Sequence, residues 1–292
     1  MVFTKILCPT DFSPGADRAL RLATRLARES NAELVIAHAW YIPPSAYSLE
    51  APFPPFMVQQ LIDDAHKGLD AAKRDAIAAG APHVSTELLN GSPWSCIVRQ
   101  LEHEAFDLCV IGTHGRTGLA RIFLGSVAEK VVRHARCSVM TVRPDGELQP
   151  FQHALVPTDF SEYAQRAVDL ATEIIPPKGR ITLLHAIELP VAYTNEFPFA
   201  DIVRELDVEA LTALGKTVEA ARMKTTATLE AAARVGYPGY EILTTLDDDR
   251  TIDLVIIGSH GRTGLSRAFL GSVAEKIVRH SRCPVLVARK RG

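Results

Sequence analysis

The chain alternates between two hydrophobic periods. Lys5–Pro9 is a short apolar run closed by proline. From Ser13 onward, Ala16, Ala19, Leu20, Ala23 and Leu26 recur at the spacing of one helical face. Ser13 suits an N-cap and Pro14 the first helical position. Glu33–Trp40 reads as a second strand leading into a proline-containing loop, and Phe56–Ala79 as a long helix. His83–Leu89 fits a third strand, Asp107–Gly112 a buried parallel strand, and Ser138–Val142 a last one. The alternation predicts an α/β fold with a parallel sheet and helices on both faces. In such sheets ligands bind at the carboxyl ends of the strands, near the point where strand order reverses.

The same succession then repeats. Ser161 opens a helix with Ala164, Ala167, Val168 and Ala171 on one face. Arg180–Ile187, Ala200–Met223, Asp253–Gly258 and Pro284–Ala288 follow in the same order. Thr226–Arg234 contains Glu230-Ala231-Ala232-Ala233, helical by propensity, but the repeat register makes it the third strand. Pro9-Thr10-Asp11-Phe12-Ser13 recurs as Pro157-Thr158-Asp159-Phe160-Ser161. Residues 112–143 recur as 258–289 with 23 of 32 positions identical. A repeat of this length is a duplicated domain. The expected division is 1–143 and 151–292, with 144–150 as the linker.

Composition narrows the class. The 292 residues carry 32 Lys+Arg against 34 Asp+Glu, a net charge of −2, so no basic surplus points to nucleic acid or an anionic membrane. The longest uncharged run, Leu34–Leu49, is broken by His38, Pro43 and Pro44 and makes no membrane span. The N-terminus has no signal-peptide pattern. Five cysteines without a CxxC argue against a disulfide framework or a zinc knuckle, and the expected location is the cytoplasm.

Candidate chemistry follows strands one and four. Gly112-Thr113-His114-Gly115, nine residues and Gly125-Ser126 recur as Gly258-Ser259-His260-Gly261, nine residues and Gly271-Ser272. Glycine lets backbone N–H groups approach a ligand. Ser126-Val127-Ala128-Glu129 and Ser272-Val273-Ala274-Glu275 read as capping boxes. Each would open a helix whose N–H groups and dipole favour an anion. Two glycine turns flanking a helix start suggest a phosphate cradle. Arg116 and Arg262 follow directly, as phosphate partners or as solvated surface. A carboxylate at Asp11 or Asp159 suits ribose hydroxyls and would repel phosphates; its alternative is helix capping.

The Gly-x2-Gly-x9-Gly-Ser pattern, together with Pro-Thr-Asp-Phe-Ser after strand one, resembles the universal stress protein family. The resemblance covers both halves. It implies two tandem Rossmann-like domains of the adenine nucleotide alpha hydrolase-like type, each a five-stranded, mostly parallel sheet. It further implies ATP as ligand, alone or with Mg2+. By this likeness Pro9, Thr10, Asp11 and Ala39 would border adenine and ribose, and Gly112, His114, Gly115, Gly125, Ser126 and Val127 the ribose and phosphates. In the second copy Pro157, Thr158, Asp159 and Ala186 would border adenine and ribose. Gly258, His260, Gly261, Gly271, Ser272 and Val273 would face ribose and phosphates there. His114 would donate to a phosphate or brace its loop. Members of the family commonly dimerise through the last strand, so the two halves are expected to pair as an intrachain pseudo-dimer, with a homodimer also open.

Other readings are weaker. Gly215-Lys216-Thr217 lacks the earlier glycine of a P-loop and sits in a helical pattern. No GxSxG elbow and no metal-binding helix spacing occurs, so no residue is assigned a catalytic or metal role. His38 and His185 read as satisfied core histidines. A nucleotide-dependent stress regulator is the favoured function. The alternatives are a slow ATPase or self-phosphorylating enzyme using Ser126 or Ser272, and a ligand-free scaffold.

Overall fold

The computed structural model describes residues 2–42, 54–113, 124–145, 148–188, 199–261 and 270–289, with side chains of the helix beginning at Phe199 described from residue 208. The chain divides into two compact units, residues 3–146 and 147–290. Unit 1 runs β1 (Lys5–Pro9), α1 (Pro14–Ser30), β2 (Glu33–Trp40), α2 (Pro55–Ala78), β3 (His83–Asn90), α3 (Pro93–His103), β4 (Leu108–Gly112), α4 (Ser126–His134) and β5 (Ser138–Val142). Unit 2 runs β6 (His153–Pro157), α5 (Glu162–Ile174), β7 (Arg180–Ile187), α6 (Phe199–Arg222), β8 (Thr228–Val235), α7 (Pro238–Asp248), β9 (Leu254–Gly258), α8 (Ser272–His280) and β10 (Val285–Ala288).

Strand order is β3-β2-β1-β4-β5 in unit 1 and β8-β7-β6-β9-β10 in unit 2, and neighbouring strands within each unit run parallel. The order reverses between β1 and β4, and again between β6 and β9. The central strands are buried, as a parallel sheet covered by helices requires. In unit 1, α2 and α3 both pack on β2 and β3, yet α2 meets α1 while α3 meets α4. Two helices sharing the same strands in this way lie on opposite faces of the sheet.

The alanine-rich segment of the second half is indeed a strand. Leu183, Leu184 and His185 of β7 pair with Ala231, Ala232 and Ala233 of β8. Ladder pairing and the α6 layer outweigh a helix propensity worth a few tenths of a kcal/mol per residue. The helices α3 and α7 are additions to the sequence reading. Each opens with proline at its first turn, Pro93 and Pro238. Gly215-Lys216-Thr217 lies within α6, far from any strand-to-helix turn.

Each first strand is bracketed by an aspartate from before the fourth. Asp107 accepts from the backbone N–H of Thr4 and Lys5, and Asp253 from that of Gln152 and His153. The residue opening the strand differs. Lys5 is half-buried and holds Glu104 at 2.7 Å and Glu33 at 3.5 Å. His153 is buried, its ring nitrogens 2.8 Å from Thr251 Oγ1 and 2.8 Å from Thr182 Oγ1. Burial lowers its pKa, against the attraction of Asp249; Arg180 lowers it further and Glu230 opposes. Below the free value of 6.5 the unfolded chain therefore takes up a proton that folded unit 2 resists. Stability present above that pH declines as the pH falls towards the folded pKa. The melting temperature of unit 2 is expected to fall as the pH is lowered through 6.5, and to fall less in His153→Gln. Equal drops in both proteins, followed by circular dichroism, would remove His153 from this account.

Candidate functional site

The turn after each first strand is built identically. Thr10 N–H donates to Ala37 O at 2.8 Å, fixing the chain as it leaves β1. Phe12 N–H donates to Thr10 Oγ1 at 3.0 Å, and Ser13 N–H to Asp11 Oδ1 at 3.1 Å. Ser13 Oγ accepts from Ala16 N–H at 3.3 Å, the N-cap expected from sequence, with Pro14 in the first turn. In the second copy Phe160 N–H meets Thr158 Oγ1 at 3.0 Å, and Ser161 N–H meets Asp159 Oδ1 at 3.0 Å. Asp11 and Asp159 therefore brace the helix start without being its cap.

Both turns hold a phenylalanine in the left-handed region, Phe12 at φ 60° and Phe160 at φ 64°. For a bulky residue this costs about 1–3 kcal/mol and persists only where the surroundings enforce it. Each phenylalanine ring packs on a histidine. Phe12 stacks on His38 with ring centroids 4.5 Å apart, and His38 Nδ1 lies 2.8 Å from Thr10 O. Phe160 and His185 form the matching pair, with ring centroids 4.6 Å apart and the rings tilted by 37°, and His185 Nδ1 lies 2.7 Å from Thr158 O. The paired histidines are hydrogen-bonded, as expected, but half-buried at the strand ends and not in the core.

The glycines after the fourth strands serve different ends. A Cβ on Gly112 would stand 2.8 Å from Gly15 O, and one on Gly258 2.8 Å from Tyr163 C. These glycines let the start of α1 or α5 pack directly on the strand, so helix packing alone requires glycine at both positions. A Cβ on Gly261 would meet Asp159 Oδ2 at 2.8 Å, bringing the second loop against the first. Gly125 and Gly271 differ again. Their φ values, −58° and −60°, suit any residue. A Cβ on Gly271 would find its nearest neighbour, Ser259 O, at an ordinary 3.5 Å.

The capping boxes need correction. Gly125 and Gly271 are the N-caps of α4 and α8, no side chain caps either helix, and Ser126 and Ser272 are the first helical residues. The reason is the hydrogen-bond register. Gly125 N–H donates to Thr113 O at 2.7 Å, and Gly125 O accepts from Glu129 N–H at 2.9 Å, which starts the helix one residue early. Gly271 does the same through Ser259 O and Glu275 N–H, both at 2.9 Å. The N–H groups of Ser126, Val127 and Ala128 then fall in the first turn, where no intrahelical acceptor exists.

These pieces enclose a cavity of about 310 Å³ at the carboxyl ends of the unit 1 strands. Of the sequence-derived candidates it is lined by Pro9, Thr10, Asp11, Ala39, Gly112, Gly125, Ser126 and Val127. Reasoning from sequence missed Ala16, Ala37, Ile111, Thr113, Ala128, Pro93 and Ile97. The last two come from α3, which Pro93 at its start and the spacing of Ile97, Val98 and Leu101 could have disclosed. His114, Gly115 and Arg116 lie outside the described residues, as does Arg262.

In unit 2, Pro157 and Thr158 are buried, while Asp159 and Ala186 are half-buried at the matching strand ends. Ser272 is exposed and Val273 half-buried on the first turn of α8. His260 packs against Tyr163 at 4.9 Å and places Nδ1 2.9 Å from Ser259 Oγ, which makes it a loop brace. Burial pushes the Cys8 thiol, next to Pro9, up to about 12 and raises Cys109 well above its usual value. Among the described residues no group of three or more His, Cys, Asp or Glu could hold a metal ion, and no helix is long and apolar enough to cross a membrane.

Residues 3–143 and 150–289 each match the model of the universal stress protein family. The chain belongs to that family. A universal stress protein of Mycobacterium tuberculosis is 28% identical over 307 residues, covering 98% of this chain and 96% of its own. One from Methanocaldococcus jannaschii is 35% identical over 143 residues, 49% of this chain and 83% of its own. The crystal structure of a universal stress protein from Archaeoglobus fulgidus aligns with a TM-score of 0.68 at 20% identity, covering 99% of this chain and 98% of that one, and so shares the fold. The universal stress protein domain thus occurs twice, each time as a mixed α/β unit with a parallel sheet.

Proposed function

We propose that each universal stress protein domain of this chain binds an adenine nucleotide, ATP, and that the bound state acts as a regulatory signal in the stress response. The observation that carries this reading is the unit 1 cavity with two kinds of lining. Ala37, Ala39, Pro93 and Ile97 offer an apolar slot for a flat base. Gly125 and the first turn of α4 offer backbone N–H groups for phosphate. Asp11 lies among these lining residues as an acceptor suited to ribose hydroxyls. Gly125 and Gly271 support the same reading, because a φ near −60° at each would suit any residue.

Binding is preferred to turnover. Hydrolysis needs a placed water and usually a metal held with carboxylate help, and among the described residues no such cluster stands at the cavity. Mg2+, if carried, would ride on the phosphates and water. Ser126 and Ser272 are exposed at the first turn and are the phosphate acceptors of the enzymatic alternative. Incubation with γ-labelled ATP separates the two: the binding reading expects neither stoichiometric label on protein nor steady phosphate release. Pairing of the two halves through their apolar last strands, further dimerisation and a cytoplasmic location belong to the same proposal.

ATP at about 100 times its Kd is expected to stabilise a binding domain by about 2.7 kcal/mol, which a thermal melt would register as a rise of several degrees. No shift at millimolar ATP would count against the proposal.

A further inference from the structure

The repeat register allows the two sites to be compared position by position. Of the fifteen residues lining the unit 1 cavity, thirteen recur unchanged in unit 2. The exceptions are Ala37, replaced by Leu184, and Thr113, replaced by Ser259. Ala37 pairs with Pro9 across the sheet, and Leu184 with Pro157. The backbone is held alike, Thr10 N–H donating to Ala37 O at 2.8 Å and Thr158 N–H to Leu184 O at 2.9 Å. Ala37 shares its sheet face with Ala39, and Leu184 with Ala186, because side chains two apart on a strand point the same way. Leucine therefore starts from the same Cβ place and adds three carbons on the face that forms the apolar slot in unit 1. Leu184 is 1% exposed. The loss of one methyl at Ser259 falls at the end of β9, on the glycine side of the site, and returns a single carbon.

We propose that the two nucleotide sites are unequal, with unit 1 the high-affinity site for a purine base and unit 2 a weaker one narrowed by Leu184. This rests on the nucleotide-binding reading above. A surplus methylene in an apolar pocket shifts binding by about 10- to 200-fold, so the sites differ by at least about tenfold. The full chain would then be half-loaded over a range of ATP concentration, and fully loaded only above it.

Isothermal titration of the intact chain with ATP tests this. Two classes of site differing by at least about tenfold are expected in the wild type. Leu184→Ala is expected to tighten the weaker class towards the stronger, and Ala37→Leu to weaken the stronger one. Photolabelling of unmodified protein with sub-saturating 8-azido-ATP gives a readout independent of either variant's folding, and the labelled peptides should come from residues 3–146. Two equal classes, first labelling of unit 2, or a weak class unmoved in folded Leu184→Ala would overturn the inequality while leaving nucleotide binding intact. No ATP binding or labelling in any form would overturn both.

Discussion

Valine at Gly112 or Gly258 is expected to destabilise the affected unit strongly. At Gly112 the added carbon meets Gly15 O at 2.8 Å and Gly15 C at 2.9 Å, and at Gly258 it meets Tyr163 C at 2.8 Å. All are backbone atoms at the start of a helix, so no side-chain rotation relieves the clash. The helix itself must lift from the strand, which opens the Leu20 and Ala23 contacts that α1 buries. Overpacking of this kind costs about 3 kcal/mol. For a unit of this size that is a fall in Tm of roughly 10 °C. The two units make a two-transition melt the right measurement, since only the mutated unit should move. A Gly112→Val protein that melts like the wild type would mean that α1 is not seated on β4 as described.

Aspartate at Gly125 and Gly271 is expected to do the opposite. Both glycines sit at N-cap positions with φ near −60° and carry no capping side chain. Aspartate is among the best N-caps and its charge suits the helix dipole, so the unliganded fold should keep its Tm or gain up to about 1 kcal/mol. The same carboxylate would occupy the first-turn N–H groups and repel phosphate. ATP affinity of the double variant is expected to fall at least about 100-fold, or about 2.8 kcal/mol. Retained stability with lost binding separates a ligand-holding glycine from a packing one. If the double variant binds ATP normally, the phosphate end of the site has been put in the wrong place.

The contrast between these glycines shows where sequence reasoning succeeds and where it stops. The order of elements was legible because hydrophobic period and duplication agree. Lys5–Pro9, Glu33–Trp40, Arg180–Ile187 and Ser138–Val142 are strands with the expected bounds. The β8 strand was legible only through the repeat, since its alanines favour helix and its pairing with β7 is a tertiary effect. The capping serine at α4 was misplaced by one residue, because Ser-x-x-Glu suits an N-cap locally while the Gly125 N–H to Thr113 O bond decides the helix start from across the loop. At the site, residues next to a strand end were found readily. Pro93 and Ile97 were not, because α3 reaches the cavity through packing on β2 and carries no motif. The three uses of glycine, against a helix, against Asp159 and at a helix start, are identical letters in sequence and separate only when their neighbours are known.

The most direct test of nucleotide binding needs no mutation. The intact chain is purified without added nucleotide and denatured, and the released small molecules are analysed by mass spectrometry; the stripped protein is refolded and dialysed against ATP. Adenine nucleotide in the first step, or saturable ATP uptake in the second, is the predicted result. A protein that releases no adenine nucleotide and, refolded, takes up no ATP at millimolar concentration would contradict it.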